Sequence, residues 1–292
     1  MHPTANAYKA MVAGALLSST GRARVSPDSH TAVFVDGHVH VYRCYDVQQV
    51  FDGAWRHVRA ITAKNGLAKN FQCVLIFTES KGDKVFAELA ETKNVGRWEI
   101  SRTRDSSALC LRRDDDARLV LVAGRQLVSA ERLEVSAYFL AQPFADGAPL
   151  DTLVTQVDRA GGVPVLPWGV GKWFGSRGRH VESRLMHSKV RLMVSDNGGR
   201  PWLWPTPRLF RTAKRQGIPV LAGTDPLPRV SEQQQAGRFG FMLKGPLSLE
   251  TPAQDLKHRL LSLKCSPVQY GARVGVLNFF RNQLFMQVKR VR

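Results

Sequence analysis

Residues 71–77, FQCVLIF, constrain this 292-residue chain most strongly. A dense apolar run of strand length, too short for a helix to use well, suits a central strand covered on both faces, as in parallel sheets. Comparable runs recur at Ala32–Val35, Val163–Leu166, Leu192–Val194 and Ile218–Ala222, and Phe239–Leu243 reads as a further strand. Between them lie stretches with helical spacing. Tyr45–Ala63 carries Val47, Val50, Phe51, Ala54, Trp55, Val58 and Ile61 along one face, Thr152–Ala160 is closed by Gly161-Gly162, and residues 180–190 and Pro207–Gln216 suit helices. Strand and helix in alternation imply an α/β fold.

The middle departs from that rhythm. Trp98–Thr103, Ala108–Arg113 and Arg118–Ala123 read as an antiparallel meander with polar turns, and Leu127–Leu140 fits either two strands or a strand and a helix. Residues 1–30 suggest a short helix, Ala5–Leu17, and a polar linker. Thr251-Pro252 marks a helix start, with Thr as cap and Pro in the first turn.

Charge narrows the partners. Forty-two Lys and Arg against twenty-four Asp and Glu give a net charge of +18, which favours anionic ligands. Eleven of the cations fall between 171 and 215, where the acids are Glu182 and Asp196. Loop positions Lys172, Arg177, Arg179 and Arg200 suit phosphate or carboxylate binding, with Trp168 as a stacking surface and Asp196 and Arg238 as further candidates. From Leu256 onward there is no acid but eight Lys or Arg among Phe279, Phe280, Leu284 and Phe285, a pattern that suits a capping helix with a wet cationic face in preference to a basic amphipathic segment for nucleic acid or an anionic membrane. Nucleic acid is therefore a partner ranked behind a small anionic substrate. No apolar run reaches bilayer length, and the scattered Cys44, Cys73, Cys110 and Cys265 suit a reducing cytoplasm. Nothing fixes an oligomeric state. A P-loop is excluded because Leu166 stands where its first Gly belongs and Trp173 replaces Ser or Thr. No G-x-S-x-G elbow is present.

Two strand ends carry metal-ligand chemistry. The run Ala32–Val35 stops at Asp36-Gly37 and delivers His38 and His40, whose i, i+2 spacing puts both imidazoles on one side of an extended backbone. The strand at Ile218–Ala222 runs into Gly223-Thr224-Asp225-Pro226, where a carboxylate can ligate a metal or take a proton from water.

A first strand ending DGHVH and a late strand ending GTDP resemble the amidohydrolase superfamily and the polymerase-and-histidinol-phosphatase (PHP) family of metal-dependent hydrolases. GGVPVLPW resembles the PHP strand that leads to a metal-binding His, and Glu79, closing FQCVLIFTE, stands where such families place a carboxylate ligand. The resemblance implies a distorted (β/α) TIM-like barrel over 31–250, with a meander inserted at about 97–126 and a basic helical extension over 251–292 packed on it. It also implies a divalent ion (zinc, manganese or iron) on His38, His40, Asp225 and Glu79, with Asp225 and Glu79 as the catalytic carboxylates. The implied reaction is hydrolysis of an anionic, phosphorylated or similar, small substrate by metal-activated water. The chain departs from the PHP pattern at Pro167-Trp168, where a His belongs, and at Leu227, which replaces the His after the late Asp. For the amidohydrolase pattern, only Lys172, His180 and His187 could supply the missing ligands. The departures support an alternative in which a catalytically reduced barrel, with a single ion or none, binds an anionic ligand, partner or nucleic acid.

Overall fold

Apolar side chains at successive positions of a strand point to opposite faces, so a strand with no polar alternation must be covered twice. The computed structural model, which describes residues 31–65 and 71–291, meets that demand with two sheets and helices on their outer faces. The first strand, β1 (Ala32–Val39), is buried throughout and pairs in parallel with β2 (Phe71–Phe77) and antiparallel with β12 (Phe239–Lys244). Helix α1 (Val47–Lys64) connects β1 to β2, and Asp46 caps it by accepting a 2.9 Å bond from the Gln48 amide.

The meander forms β3 (Asn94–Val95), β4 (Trp98–Arg102), β5 (Ala108–Arg113) and β6 (Arg118–Val122), after a short helix α2 (Val85–Ala90). With β13 (Val268–Gly271) these strands make one eight-stranded sheet in the order β13-β12-β1-β2-β6-β5-β4-β3. A five-stranded sheet holds β7 (Gly124–Val128), β8 (Glu134–Tyr138), β9 (Val163–Pro167), β10 (Met193–Asn197) and β11 (Val220–Gly223) in the order β11-β10-β9-β8-β7. The stretch 127–140 is thus two strands, paired antiparallel from Gly124–Tyr138 to Val128–Glu134.

This is not a TIM-like barrel. A barrel is one sheet closed on itself, whereas these strands fall into two open sheets, one ending at β13 and β3 and the other at β11 and β7. The meander is therefore the continuation of the main sheet beyond β2, through the parallel β2–β6 ladder, and not an insertion beside it. Just beyond β2 an isolated bridge, Glu79 with Arg125, links the large sheet to β7.

Three apolar layers result. Phe34, Phe51, Leu75 and Trp98 fill the space between α1 and the large sheet. Val33, Val35, Val74, Ile76, Tyr138, Val165, Met193 and Leu221 pack the two sheets on each other. Leu166, Val194 and Val220 face α3 (Leu150–Arg159), α4 (Gly175–His187) and α5 (Arg208–Arg215) on the far side of the small sheet. Helix α6 (Pro252–Ser262) starts at the expected Thr-Pro, but the Thr251 side chain makes no capping bond. Asp105, from the β4–β5 turn, accepts from the Ala253 and Gln254 amides instead, at 2.8 and 3.1 Å. The chain ends in α7 (Val276–Val291). The helix expected at Ala5–Leu17 lies outside the described residues. Among those described, no helix is long and apolar enough to cross a membrane.

The meander is tied to α1 by one carboxylate. Asp52 accepts a 2.9 Å bond from the fully buried Trp98 indole and pairs with Arg113, whose guanidinium lies 4.9 Å above the same ring. Replacing Asp52 by Ala leaves a buried N–H without an acceptor, so urea denaturation should show a loss of about 1–3 kcal/mol, with Asp52→Asn less harmful because it keeps an acceptor.

Candidate metal centre

The β1 and β11 strand ends meet because both carry glycine where their backbones approach. A Cβ on Gly223 would lie 2.3 Å from the His38 amide nitrogen, and one on Gly37 would lie 2.9 Å from the Ala222 carbonyl. Asp36 locks the junction. Its carboxylate, wholly buried, accepts from the amides of His38 (3.2 Å), Thr224 (2.8 Å) and Gly237 (2.8 Å) and from the Thr224 hydroxyl (2.5 Å). Burial raises the Asp36 carboxyl to about 6 against those four donors, so it remains ionised at neutral pH. The Asp225 amide then donates to the His38 carbonyl at 2.8 Å, and Asp225 takes the left-handed conformation, φ 53°, that Asp tolerates better than most residues.

The result is a convergence of three side chains. His38 Nε2 and His40 Nε2 are 3.1 Å apart, and each lies 3.7 Å from Asp225 Oδ1. Asn197 at the end of β10 donates to Asp225 Oδ2 at 2.6 Å, which fixes the carboxylate and turns its other oxygen to the imidazoles. Both histidines are buried, and His40 stacks on Tyr42 with ring centroids 5.4 Å apart. Burial, helped by the neighbouring His38, lowers the His40 imidazole to about 4, so it is neutral with a free lone pair at physiological pH. Two imidazole nitrogens and one carboxylate oxygen within 4.8 Å of one another form a donor set that could bind a divalent metal ion.

His40 and Asp225 lie in the lining of a pocket of about 440 Å³. Its walls include Tyr42, Gln126, Trp168, Lys172, Asn197, Glu232 and Arg238, and α7 contributes Asn282, Gln283 and Met286. Lys172 pairs with Glu134 in the wall. Among the described residues Arg238 Nε has no hydrogen-bond partner, and burial lowers this guanidinium from its ordinary value.

Other residues singled out in the sequence stand apart from the three. Glu79 is buried with one oxygen accepting from the Phe86 amide at 2.6 Å and the other paired with Arg125 at 2.8 Å, outside the His–His–Asp cluster. Asp196 and Arg200 form a buried ion pair with bonds of 3.0 and 2.5 Å, and Arg200 also donates to the Trp204 carbonyl. Arg177 donates to the Gly171 carbonyl, and Arg179 and His180 are exposed on α4. Asn197 is the neighbour that sequence reasoning passed over in favour of Asp196. The strand period held the signal, since Val194 faces the helices and Met193 the other sheet, so Asp196 follows the former and Asn197 the latter.

No family model matches the sequence, and no curated protein does. Among solved structures, PsfC from Pseudomonas syringae PB-5123 is 15% identical, with a TM-score of 0.48 over 89% of this chain and 98% of that one. The lesion-specific endonuclease PfuEndoQ from Pyrococcus furiosus is 7% identical, with a TM-score of 0.45 over 80% of this chain and 56% of that one. Likenesses of this size say nothing of chemistry.

Removing the Asp36 carboxylate orphans donors on three segments at once. Asp36→Ala should lower stability by about 3–5 kcal/mol in urea denaturation, while Thr224→Val, which loses one hydroxyl bond, should lose about 1 kcal/mol.

Proposed function

We propose that this protein is a metal-dependent hydrolase acting on a small substrate with an anionic group. The observation that carries the reading is the meeting of His38 Nε2, His40 Nε2 and Asp225 Oδ1 beside a pocket lined by His40, Asp225 and Arg238, whose Nε has no partner among the described residues. Zinc, manganese and iron all accept such a nitrogen-and-oxygen donor set. A divalent ion held by His38, His40 and Asp225 would supply Lewis acidity and lower the pKa of a bound water.

The chain's own residues supply the rest. His38 and His40 act as ligands, and His40 stays neutral because charging it in a buried site beside His38 is unfavourable. Asp225 has a role at each oxygen. Oδ1 faces the imidazoles, while Oδ2, held by Asn197, is the oxygen positioned to receive a proton from the attacking water. Arg238 binds the anionic group of the substrate, and Trp168 and Tyr42 flank the organic part. Glu79 has no part in this scheme, since Arg125 and the Phe86 amide occupy its oxygens.

Elemental analysis of protein purified without chelators should find a stoichiometric divalent ion, absent from the His38→Ala/His40→Ala double variant. Asn197→Ala should fold normally and bind the ion about 10–100-fold more weakly, the usual effect of losing a group that orients a ligand. Wild-type protein without metal, and with thermal stability unchanged by added zinc or manganese, would end the hydrolase reading.

A further inference from the structure

Helix α7 has two unlike sides. Toward the pocket it presents Asn282, Gln283 and Met286, and it is held down by Phe279 against Trp204, with ring centroids 5.9 Å apart, and by Arg229. That guanidinium donates to Asn282 Oδ1 at 2.5 Å and lies 5.5 Å over the Phe285 ring. Away from the pocket, Leu277, Phe280 and Leu284 are 87%, 60% and 64% exposed. Spacings of three and four residues line these three along one stripe. Trp202 and Leu203, 59% and 61% exposed, flank the start of the helix, where the Trp202 amide donates to the Val274 carbonyl. Single exposed apolar residues are ordinary, whereas an apolar stripe of this kind on one helix calls for an occupant.

Charge selects that occupant. Arg281 is exposed on α7, and Lys289, Arg290 and Arg292 follow in sequence, with no acidic residue anywhere from Leu256 to the end. A second copy of this chain seated on the stripe would set cations against cations with no acid on either helix to compensate. An anionic bilayer surface suits both features, because its phosphates take the Lys and Arg while leucine, phenylalanine and tryptophan enter the interfacial layer. We infer that the outward face of α7, extended by Trp202 and Leu203, docks on anionic lipid membranes. The helix lies in the interface plane with its inner side still over the pocket, so the pocket opens beside the lipid headgroups. This inference rests on α7 and the neighbouring Trp202 and Leu203, and stands whether or not the site binds metal.

The test is co-sedimentation of the full chain with vesicles of pure phosphatidylcholine or of equal parts phosphatidylcholine and phosphatidylglycerol. Wild-type protein should bind the anionic vesicles, leave the neutral ones, and lose binding as salt is raised. Combining Leu277→Ser, Phe280→Ser and Leu284→Ser should weaken partitioning at least ~tenfold with thermal unfolding unchanged, since all three side chains face solvent. Independently of that variant, brominated lipid should quench the tryptophan emission of the wild-type chain more than that of Trp202→Phe. Equal binding by a folded triple variant, or no binding to anionic vesicles, overturns the inference. So does a wild-type dimer in sedimentation that the triple variant turns into a monomer without lipid, or retention of RNA in place of vesicles.

Discussion

The carboxylate of Asp36 gathers three segments that are far apart in the chain. It accepts from its own strand end at His38, from Thr224 nearly two hundred residues later, and from Gly237 at the entry to β12. An ionised group buried this completely is tolerated because three fixed backbone amides and the Thr224 hydroxyl all donate to it. Those bonds decide where His38 and Asp225 sit, since each is within two residues of a donor to Asp36. The two buried acid–base groups at the junction also pull in opposite directions. Asp36, raised to about 6, withdraws stability as pH rises from the ordinary carboxylate range through 6. His40, lowered to about 4, withdraws it as pH falls from the ordinary imidazole range toward 4. Between about 4 and 6 the two slopes oppose each other, so mild acid costs the fold less than His40 alone would make it cost.

Hydrogen-bonding edges, more than apolar patterning, decide the architecture. The run FQCVLIF demands cover on both faces but says nothing about which strand lies beside it. In this chain the neighbour is β6, and with β12 on the other side of β1 the central strands are saturated within one sheet. The five-stranded sheet is then obliged to pack by side chains, through Val33, Val35, Tyr138, Val165 and Leu221, rather than to join by a ladder. The glycines at 37 and 223 allow the backbones of the two sheets to come close at one corner, and the histidines and Asp225 occupy that corner.

Much of this was legible locally. The apolar spacing of 45–63 gives α1, the meander strands fall within a residue or two of their expected places, and the strand ends carrying His38, His40 and Asp225 can be read as ends of buried runs. Pairing was not legible, because a buried strand has the same composition whether it closes a barrel or extends a sheet. The fate of the charged side chains was equally hidden. Arg200 looks like a loop cation free to bind an anion, yet Asp196 lies within its reach once β10 ends in a tight turn. Glu79 looks like a ligand, until the Arg125 side chain arrives from β7 by way of the isolated bridge. Both outcomes depend on contacts between sheets or across a turn, which no sequence period encodes.

Charge balance at the corner gives the site its polarity. Asp225 is the one acidic side chain of the donor set, and Lys172 is paired with Glu134 in the wall. On the proposed reading a divalent ion leaves this floor net positive, and Arg238 faces the pocket with Nε unbonded to the described residues. Many of the chain's other arginines are spent in pairs, such as Arg113 with Asp52, Arg125 with Glu79 and Arg200 with Asp196. On that reading the pocket's choice of an anion rests on Arg238, whose Nε is unbonded among the described residues, beside a site that would hold a divalent ion, and not on the net charge of +18.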